Sequence, residues 1–284
     1  MKEHHKLVGV LALSAAMLLS LPRAAGATFL NNPQNPYQFI AGTEIGFLGV
    51  AAHTIQFGQN GTPFDYVRYG GQDNLFLFER LTAELHINDR HEIVFLYQPL
   101  DVRTQAPLEE TLRVYDQVFP TGTPMDFRYG FDFYRLSYMY DFLKDPDKEL
   151  AVGLSGQIRN ATITFSSQNG EYSRRNANIG PVPIIKVRGR LPLDSYSWLG
   201  AEVDGFYASS KLFNGANFDF TGSILDASLR YGLRLNESLD GFLNLRFLGG
   251  SAKGQSQYRA GLGDDGYTDN SLNTVTLSLG FYLK

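Results

Sequence analysis

Residues 184–207, IIKVRGRLPLDSYSWLGAEVDGFY, place Lys186, Arg188 and Arg190 on alternate positions, then, after a polar break, Glu202 and Asp204 on alternate positions. A period of two belongs to an extended strand, whose successive side chains point to opposite faces. The segment therefore predicts a hairpin with one apolar and one charged face. Which of those faces lies inside decides what the chain folds into.

The same alternation recurs along the chain. Ten strands are expected, at about 43–57, 75–88, 91–104, 125–143, 150–165, 182–193, 198–209, 220–236, 240–253 and 271–284. On the last, Val275, Leu277, Leu279, Phe281 and Leu283 alternate with Thr274, Thr276, Ser278, Gly280 and Tyr282. The connections alternate as well. NDRH (88–91), KDPDKE (144–149), DSYS (194–197) and NESLD (236–240) are short and turn-like, whereas 59–74, 105–124, 168–181, 211–218 and 254–270 are longer. An even number of strands with short turns at one end and long loops at the other is the plan of a transmembrane up-and-down antiparallel barrel. Both termini are then expected on the short-turn, periplasmic side.

The fourth strand breaks phase. Phe127, Tyr129, Phe131 and Phe133 share one face, followed by Tyr134, Leu136, Tyr138 and Tyr140 on the other. A β-bulge near Phe133–Tyr134 would return both sets to one side, and is the favoured expectation. The rival is a strand that leaves the membrane there and packs its aromatics above it.

Residues 1–27 read as a cleaved signal peptide: a basic start, the apolar run LVGVLALSAAMLLSL, and small residues at Ala25 and Ala27. Residues 28–42 are then a periplasmic N-terminal segment and 43–284 the barrel. The formal net charge is −4, and removing Lys2, Lys6, Arg23 and Glu3 leaves the remainder more acidic. That argues against a nucleic-acid partner. With no cysteine, an exported chain must be stabilised by its core or its surroundings. Phe and Tyr number 21 and 16, yet the mean hydropathy is slightly negative. Alternation hides a membrane-facing surface from such averages.

These features together, with the aromatic closing strand TVTLSLGFYLK, resemble the bacterial outer-membrane β-barrel proteins. The resemblance implies residence in the outer membrane of a diderm bacterium as a monomer. It also implies contact with outer-membrane lipid and lipopolysaccharide, and insertion by the barrel-assembly machinery. One departure is the C-terminus, where the aromatics stop short of Leu283-Lys284. A soluble exported β-domain is the architectural alternative, with the apolar faces inside and the charges in water.

With lipid outside, the charges of the hairpin face the lumen. Two registers bring opposite charges together: Arg188 opposite Glu202 with Lys186 opposite Asp204, or Arg190 opposite Glu202 with Arg188 opposite Asp204. The same interior face is expected to carry Arg80 and Glu84 (with His86), Asp226, Arg230, Arg234 and Arg246. Arg159 joins them, and Arg128, Asp132, Arg135 and Asp141 do so if the bulge exists. A self-neutralising network filling a narrow barrel and a narrow channel for small anionic or polar solutes both fit this inventory.

No catalytic residue, metal site or cofactor is assigned. An enzyme acting on lipid A or peptides at the external rim is the alternative function, for which His53 is the histidine on the correct side. Its neighbour Thr54 points to the opposite face, which leaves it without a nucleophile. Ten strands are shared with the omptin proteases, but no stretch maps onto their site. The loop GLGDDGYTD (261–269) lacks the spacing and distal Glu of an EF-hand and reads as an external loop. The external loops supply contact candidates: Phe64, Tyr66, Arg68 and Tyr69 in PFDYVRYGG, and Tyr172, Arg174 and Arg175 in EYSRRNAN.

Overall fold

The computed structural model describes residues 36–145, 147–210, 220–255 and 265–284. Residues 1–27, expected as a signal peptide, residues 28–35, the 211–218 connection and residues 261–264 of the acidic loop lie outside the described residues. In chain order the elements are β1 (Tyr37–Phe57), β2 (Phe64–Asp65), α1 (Tyr66–Tyr69), β3 (Leu75–Ile87), β4 (His91–Gln98), β5 (Asp101–Pro107), β6 (Leu112–Val114) and β7 (Gln117–Phe119). They continue as β8 (Pro124–Asp141), β9 (Glu149–Ser167), β10 (Ser173–Pro192), β11 (Ser197–Ser209), β12 (Phe220–Asn236), β13 (Leu239–Gln255) and β14 (Tyr267–Leu283).

Ten antiparallel staves follow one another around a ring: β1, β3, β4 with its continuation β5, then β8 to β14. Pairing of β14 with β1, from Ala41↔Leu283 to Phe57↔Thr268, closes the ring and leaves no terminal edge strand. The first stave begins at Tyr37, inside the expected N-terminal segment, because residues 37–42 pair with β3 and residues 41 and 42 also with β14. The third stave is interrupted at Pro99–Leu100, where the Leu100 N–H turns to the Asp132 carboxylate at 3.2 Å. β4 and β5 nevertheless pair with β8 in one register.

The faces settle the architecture. Phe47, Leu75, Leu154, Leu229 and Leu277 project outward and exposed, while Arg80, Glu84, Lys186, Glu202, Asp204 and Asp226 are buried inside. A soluble β-domain buries the opposite set. The exterior is a belt of large aliphatic and aromatic side chains far beyond the apolar patch a soluble monomer tolerates. It is the lipid face of a transmembrane barrel, and the soluble alternative is excluded.

The expected bulge in the fourth stave is absent. β8 pairs with β9 without a slip from Met125↔Ser167 to Asp141↔Ala151. Phe127, Tyr129, Phe131 and Phe133 therefore share the inward face with Arg135 and Asp141, and Tyr134, Leu136 and Tyr138 point outward. Arg128 and Asp132 belong to the outward set, not the lumen; Arg128 pairs with Asp101 at 2.8 Å. The strand simply outgrows the bilayer. Below Tyr134 its apolar side faces lipid, and above Phe133 its apolar side faces inward. A bulge does occur in β1, where pairing with β14 slips between Val50 and Ala52. It shifts the inward phase from Leu48 and Val50 to His53, Ile55 and Phe57.

Those upper inward faces meet the long connections. Leu48, Ile55, Phe57, Phe127, Tyr129, Ile163 and Phe165 from the staves pack with Phe64, Tyr66, Leu112, Val114 and Phe119 into a continuous apolar core. Connections 58–74 and 108–123 thus fold back over one side of the barrel mouth as a cap. Asp65 caps α1 there, its Oδ1 accepting from the N–H groups of Val67 (2.9 Å) and Arg68 (3.1 Å).

Candidate functional site

The lumen below the cap is filled by an ion-pair layer. Of the two expected registers, β10 and β11 adopt Arg188↔Glu202 with Lys186↔Asp204. Lys186 Nζ lies 2.9 Å from Glu202 and 3.2 Å from Asp204. Arg188, although opposite Glu202, turns its guanidinium to Glu84 (2.9 Å), Glu92 (2.7 Å) and Glu149. Glu202 is instead reached by Arg80, at 3.2 Å.

Arg80 is on β3 and Glu202 on β11, diametrically opposite staves of the ring. The Arg80–Glu202 pair therefore spans the barrel. The second Arg80 nitrogen approaches Asp226 at 3.5 Å, and Asp226 also binds Arg246 and Arg135, the latter at 3.1 Å. Arg135 joins Asp204 as well and bonds Gln157 through two nitrogens. Glu44 gathers Arg80, Arg230 and Arg246 at 3.8–3.9 Å and accepts from Asn244 (2.7 Å) and Ser278 (2.9 Å). Every stave supplies a group. Charges that each find opposite partners in a region closed to water are the condition under which ionised side chains can be buried at all.

Two of the expected lumen cations sit at the periplasmic end. Arg190 pairs with Asp240 at 2.8 Å and lies over the Trp198 ring at 4.1 Å. Arg234 is exposed at the rim, bound to Asp147 of the β8–β9 turn at 2.6 Å, and takes no part in the lumen layer. It shares the inward phase but lies past the point where a wall encloses it.

Glu44, Glu92, Glu149 and Asp240 were not anticipated. They supply carboxylates to Arg80, Arg188, Arg190, Arg230 and Arg246. Glu92, Glu149 and Asp240 stand at the feet of strands beside polar turns, where a carboxylate reads as turn chemistry. The available signal was phase: each falls on the inward set of its strand.

The external contact candidates divide. Phe64 and Tyr66 are buried in the cap core, with ring centroids 5.0 Å apart, and present no contact surface. Tyr69 and Tyr172 are half-buried against the same core. Arg174 lies over Tyr115 at 5.1 Å and approaches Asp116 at 3.6 Å. Arg68 and Arg175 remain exposed, Arg68 over Tyr69 at 5.0 Å.

His53, re-aimed inward by the β1 bulge, is wedged between Tyr66 (4.4 Å, stacked) and Tyr129 (4.3 Å, edge-on). Its Nδ1 is 2.7 Å from Gln72 Oε1. Burial lowers its pKa to about 4, so it is neutral and enclosed. Among the described residues no hydroxyl nucleophile or orienting carboxylate is bonded to it, and the geometry of a rim hydrolase is not assembled there.

Among the described residues, the other half of the mouth is hollow. A cavity of about 400 Å³ lies between β9–β10 and β12–β14, lined by Phe131, Arg159, Asn176, Phe206, Thr221 and Asn270 among others. It adjoins a deeper apolar cleft of about 50 Å³ reaching Phe133, Ile224 and Leu248. A separate hollow of about 50 Å³ opens at the periplasmic end beside Arg188, Trp198 and Tyr282. The ion-pair layer separates the two ends.

No protein-family profile and no curated protein matches the chain. Solved structures do. The outer membrane protease OmpT from Escherichia coli is similar over 89% of this chain and 98% of that one, with 11% identity and a TM-score of 0.50. The translocator domain of the autotransporter NalP from Neisseria meningitidis aligns over 96% and 97%, with 12% identity and a TM-score of 0.40. A Pseudomonas aeruginosa FadL homologue aligns over 92% and 96%, with 10% identity and a TM-score of 0.39. At such identities the likeness is one of fold. With the closed ring and its lipid face, the fold shared with OmpT makes the chain an outer-membrane β-barrel.

Proposed function

We propose that this barrel does not conduct, and that its working surface is its extracellular end. The observation that carries the reading is the spanning of the lumen by the ion pairs of Arg80, on β3, with Glu202 and Asp226 on the far wall. A ten-stranded barrel is only slightly wider than one that side chains fill completely. Here long, paired side chains from nine of the staves, with Ser278 from the tenth, occupy that width. An open anion pathway needs arginines with spare charge, and Arg80, Arg135, Arg188, Arg230 and Arg246 each face a carboxylate.

In this reading the protein is a monomer surrounded by outer-membrane lipid. Its cap and exposed Arg68 and Arg175 meet the lipopolysaccharide layer, whose phosphates arginine recognises well. Assembly by the barrel-assembly machinery accompanies the fold class. The test is planar-bilayer recording of the refolded protein. The expected trace is silent. Discrete, reproducible steps overturn the proposal. If those steps are anion-selective and shift toward cations when Arg188 and Arg190 are neutralised, the narrow-channel function takes its place.

A further inference from the structure

The barrel wall is not continuous above Ile185. β10 and β11 pair from Pro192↔Trp198 to Ile185↔Gly205 and no further, although β10 runs up to Ser173 and β11 to Ser209. On their other sides both strands stay laddered: β10 with β9 up to Ser173↔Ser166, and β11 with β12 up to Ser209↔Thr221. Extended upward, the β10–β11 register would set Pro183 opposite Tyr207 and Pro181 opposite Ser209. The ladder with β9 passes unbroken through Pro181↔Ile158 and Pro183↔Gly156. The nitrogens of both prolines therefore face away from β9, toward β11, where a ladder needs N–H donors. Proline has none, and in sheets it is confined to edges. Two prolines two residues apart remove successive donors along one side and make β10 an edge at this height.

That height is within the apolar belt. Ile185, Ile158 and Tyr207, which flank the seam, all point outward and are each more than half exposed. Irregular backbone at membrane depth persists only where it borders protein or a water-filled cavity. This seam borders the 400 Å³ chamber, whose lining takes Pro181, Val182 and Pro183 from one edge and Phe206 and Ala208 from the other. The volume lies in the range of small-molecule sites.

Arg159 stands where the chamber meets the deeper apolar cleft, its guanidinium 5.8 Å from the Phe131 ring centroid. Among the described residues no carboxylate lies within ion-pair distance of it, in contrast to the arginines of the layer below. A cation with no counter-ion among the described residues, a wall in which Phe131, Val182 and Phe206 stand beside Asn and Ser side chains, and a gap toward lipid define the missing partner.

We propose that the chamber binds a single-chain anionic amphiphile, a carboxylate or phosphate head on an acyl or aromatic tail, admitted from the outer leaflet through the β10–β11 seam. The head pairs with Arg159. The tail lies along Phe131, Val182 and Phe206, back toward the seam. The inference rests on the extracellular end being the working surface, and names what that surface takes.

The probe is a dansyl-labelled undecanoic acid, compared with its methyl ester, on protein refolded in phosphatidylcholine vesicles and checked for folding by heat-modifiable gel mobility. Saturable dansyl fluorescence with the acid is expected, with binding of the ester weaker by about tenfold or more, the scale of one charge-assisted pair. Arg159→Gln should abolish that preference and Arg159→Lys should retain most of it. Equal binding of acid and ester, or an unchanged preference in Arg159→Gln, overturns the head-group assignment. For the seam, a Pro183→Cys/Tyr207→Cys variant, in a chain with no other cysteine, is bridged with a short bis-maleimide. Bridging should slow loading of vesicle-dissolved probe relative to the unbridged variant. Equal loading rates overturn entry from the membrane and assign it to the aqueous mouth. Conductance steps from the unmodified protein would overturn the closed lumen without altering either binding result.

Discussion

Glu202 is the most connected anion of the lumen, and replacing it by glutamine distinguishes a closed lumen from a watered one. The residue is 3% exposed. Its carboxylate lies 3.2 Å from Arg80 and 2.9 Å from Lys186, with Arg230 at 3.7 Å and Arg246 at 4.0 Å. Glutamine keeps the shape and removes the charge. Breaking a buried pair from one side costs about 3–5 kcal/mol, because the surviving charge is left uncompensated. Arg80 and Arg246 also face Glu44 and Asp226, so part of the loss is recovered by charges already in place. The expected cost is therefore at the lower end, about 3 kcal/mol, or on the order of a hundredfold in the folding equilibrium. In a solvated pore the same pair would be worth about 0–1 kcal/mol. The assay is reversible urea unfolding in lipid vesicles followed by the single tryptophan, Trp198, which is buried on the same strand and face. A loss below about 1 kcal/mol would refute the closed, dry layer. The double variant Glu202→Gln/Lys186→Met should show a coupling energy of about 1 kcal/mol or more, since the two groups are in direct contact at 2.9 Å.

Phe64→Ala should loosen the cap without opening the barrel. Phe64 packs on Tyr66, Phe127 and Phe165 at 5.0–6.0 Å, and truncating a buried phenylalanine costs about 3–5 kcal/mol. Faster external proteolysis within 58–74, with unchanged heat-modifiable mobility, is expected; equal protection in mutant and parent contradicts it. His53 makes the cap acid-sensitive. Its folded pKa is about 4, below the ~6.5 of an exposed histidine, so the unfolded cap binds the extra proton first. Cap stability is then full above about pH 6.5 and falls as pH drops toward 4, by up to roughly 3 kcal/mol. Hydrogen exchange of the cap amides between pH 7 and 4 measures it, and His53→Gln should flatten the dependence; a variant with the same slope rules His53 out. A water-soluble maleimide should label Asp132→Cys in intact vesicles but not Leu136→Cys, because the membrane surface crosses β8 between them. Equal labelling places that surface elsewhere.

The architecture was legible because lipid imposes a pattern. Wherever a strand crosses the belt, its outward residues must be apolar, and the resulting alternation located the ten staves, the short turns and the inward phase of Arg80, Glu84, Lys186, Glu202 and Asp226. Where lipid stops, so does the pattern. SRRNAN (173–178) reads as loop because its outward face is free to be polar, yet it is strand, held by β9 in register from Ser173↔Ser166 onward. The cap was illegible for a different reason. Phe64 and Tyr66 meet Phe127 and Phe165 across 60 to 100 residues of chain, and nothing local in PFDYVRYGG distinguishes a residue that folds inward from one that faces solvent.

The phase break in β8 shows both regimes on one strand. From Tyr134 to Tyr138 the outward residues are apolar or aromatic, and the inward residues are Arg135 and Ser137. From Met125 to Phe133 the inward residues are Met125, Phe127, Tyr129, Phe131 and Phe133, and the outward ones include Asp126, Arg128 and Asp132. Backbone register never changes; polarity inverts. β9 does the same, with Leu150, Val152, Leu154 and Ile158 outward below, and Ile163 and Phe165 inward above. In β1 the inward set changes from Glu44 to Leu48 and Val50 below the bulge, and continues apolar with Ile55 and Phe57 above it. The inversion follows from a change of solvent along the strand. Lipid takes the apolar side of the wall at membrane depth and leaves the charges to pair inside. Water takes the polar side above it, and the apolar residues must then find one another under the folded-back loops. The ion-pair layer and the apolar cap are thus two responses of the same ten staves to the two media they cross. The chamber beside β10 lies where the switch is incomplete, with an arginine that meets no carboxylate among the described residues and a broken ladder in a wall that still faces lipid.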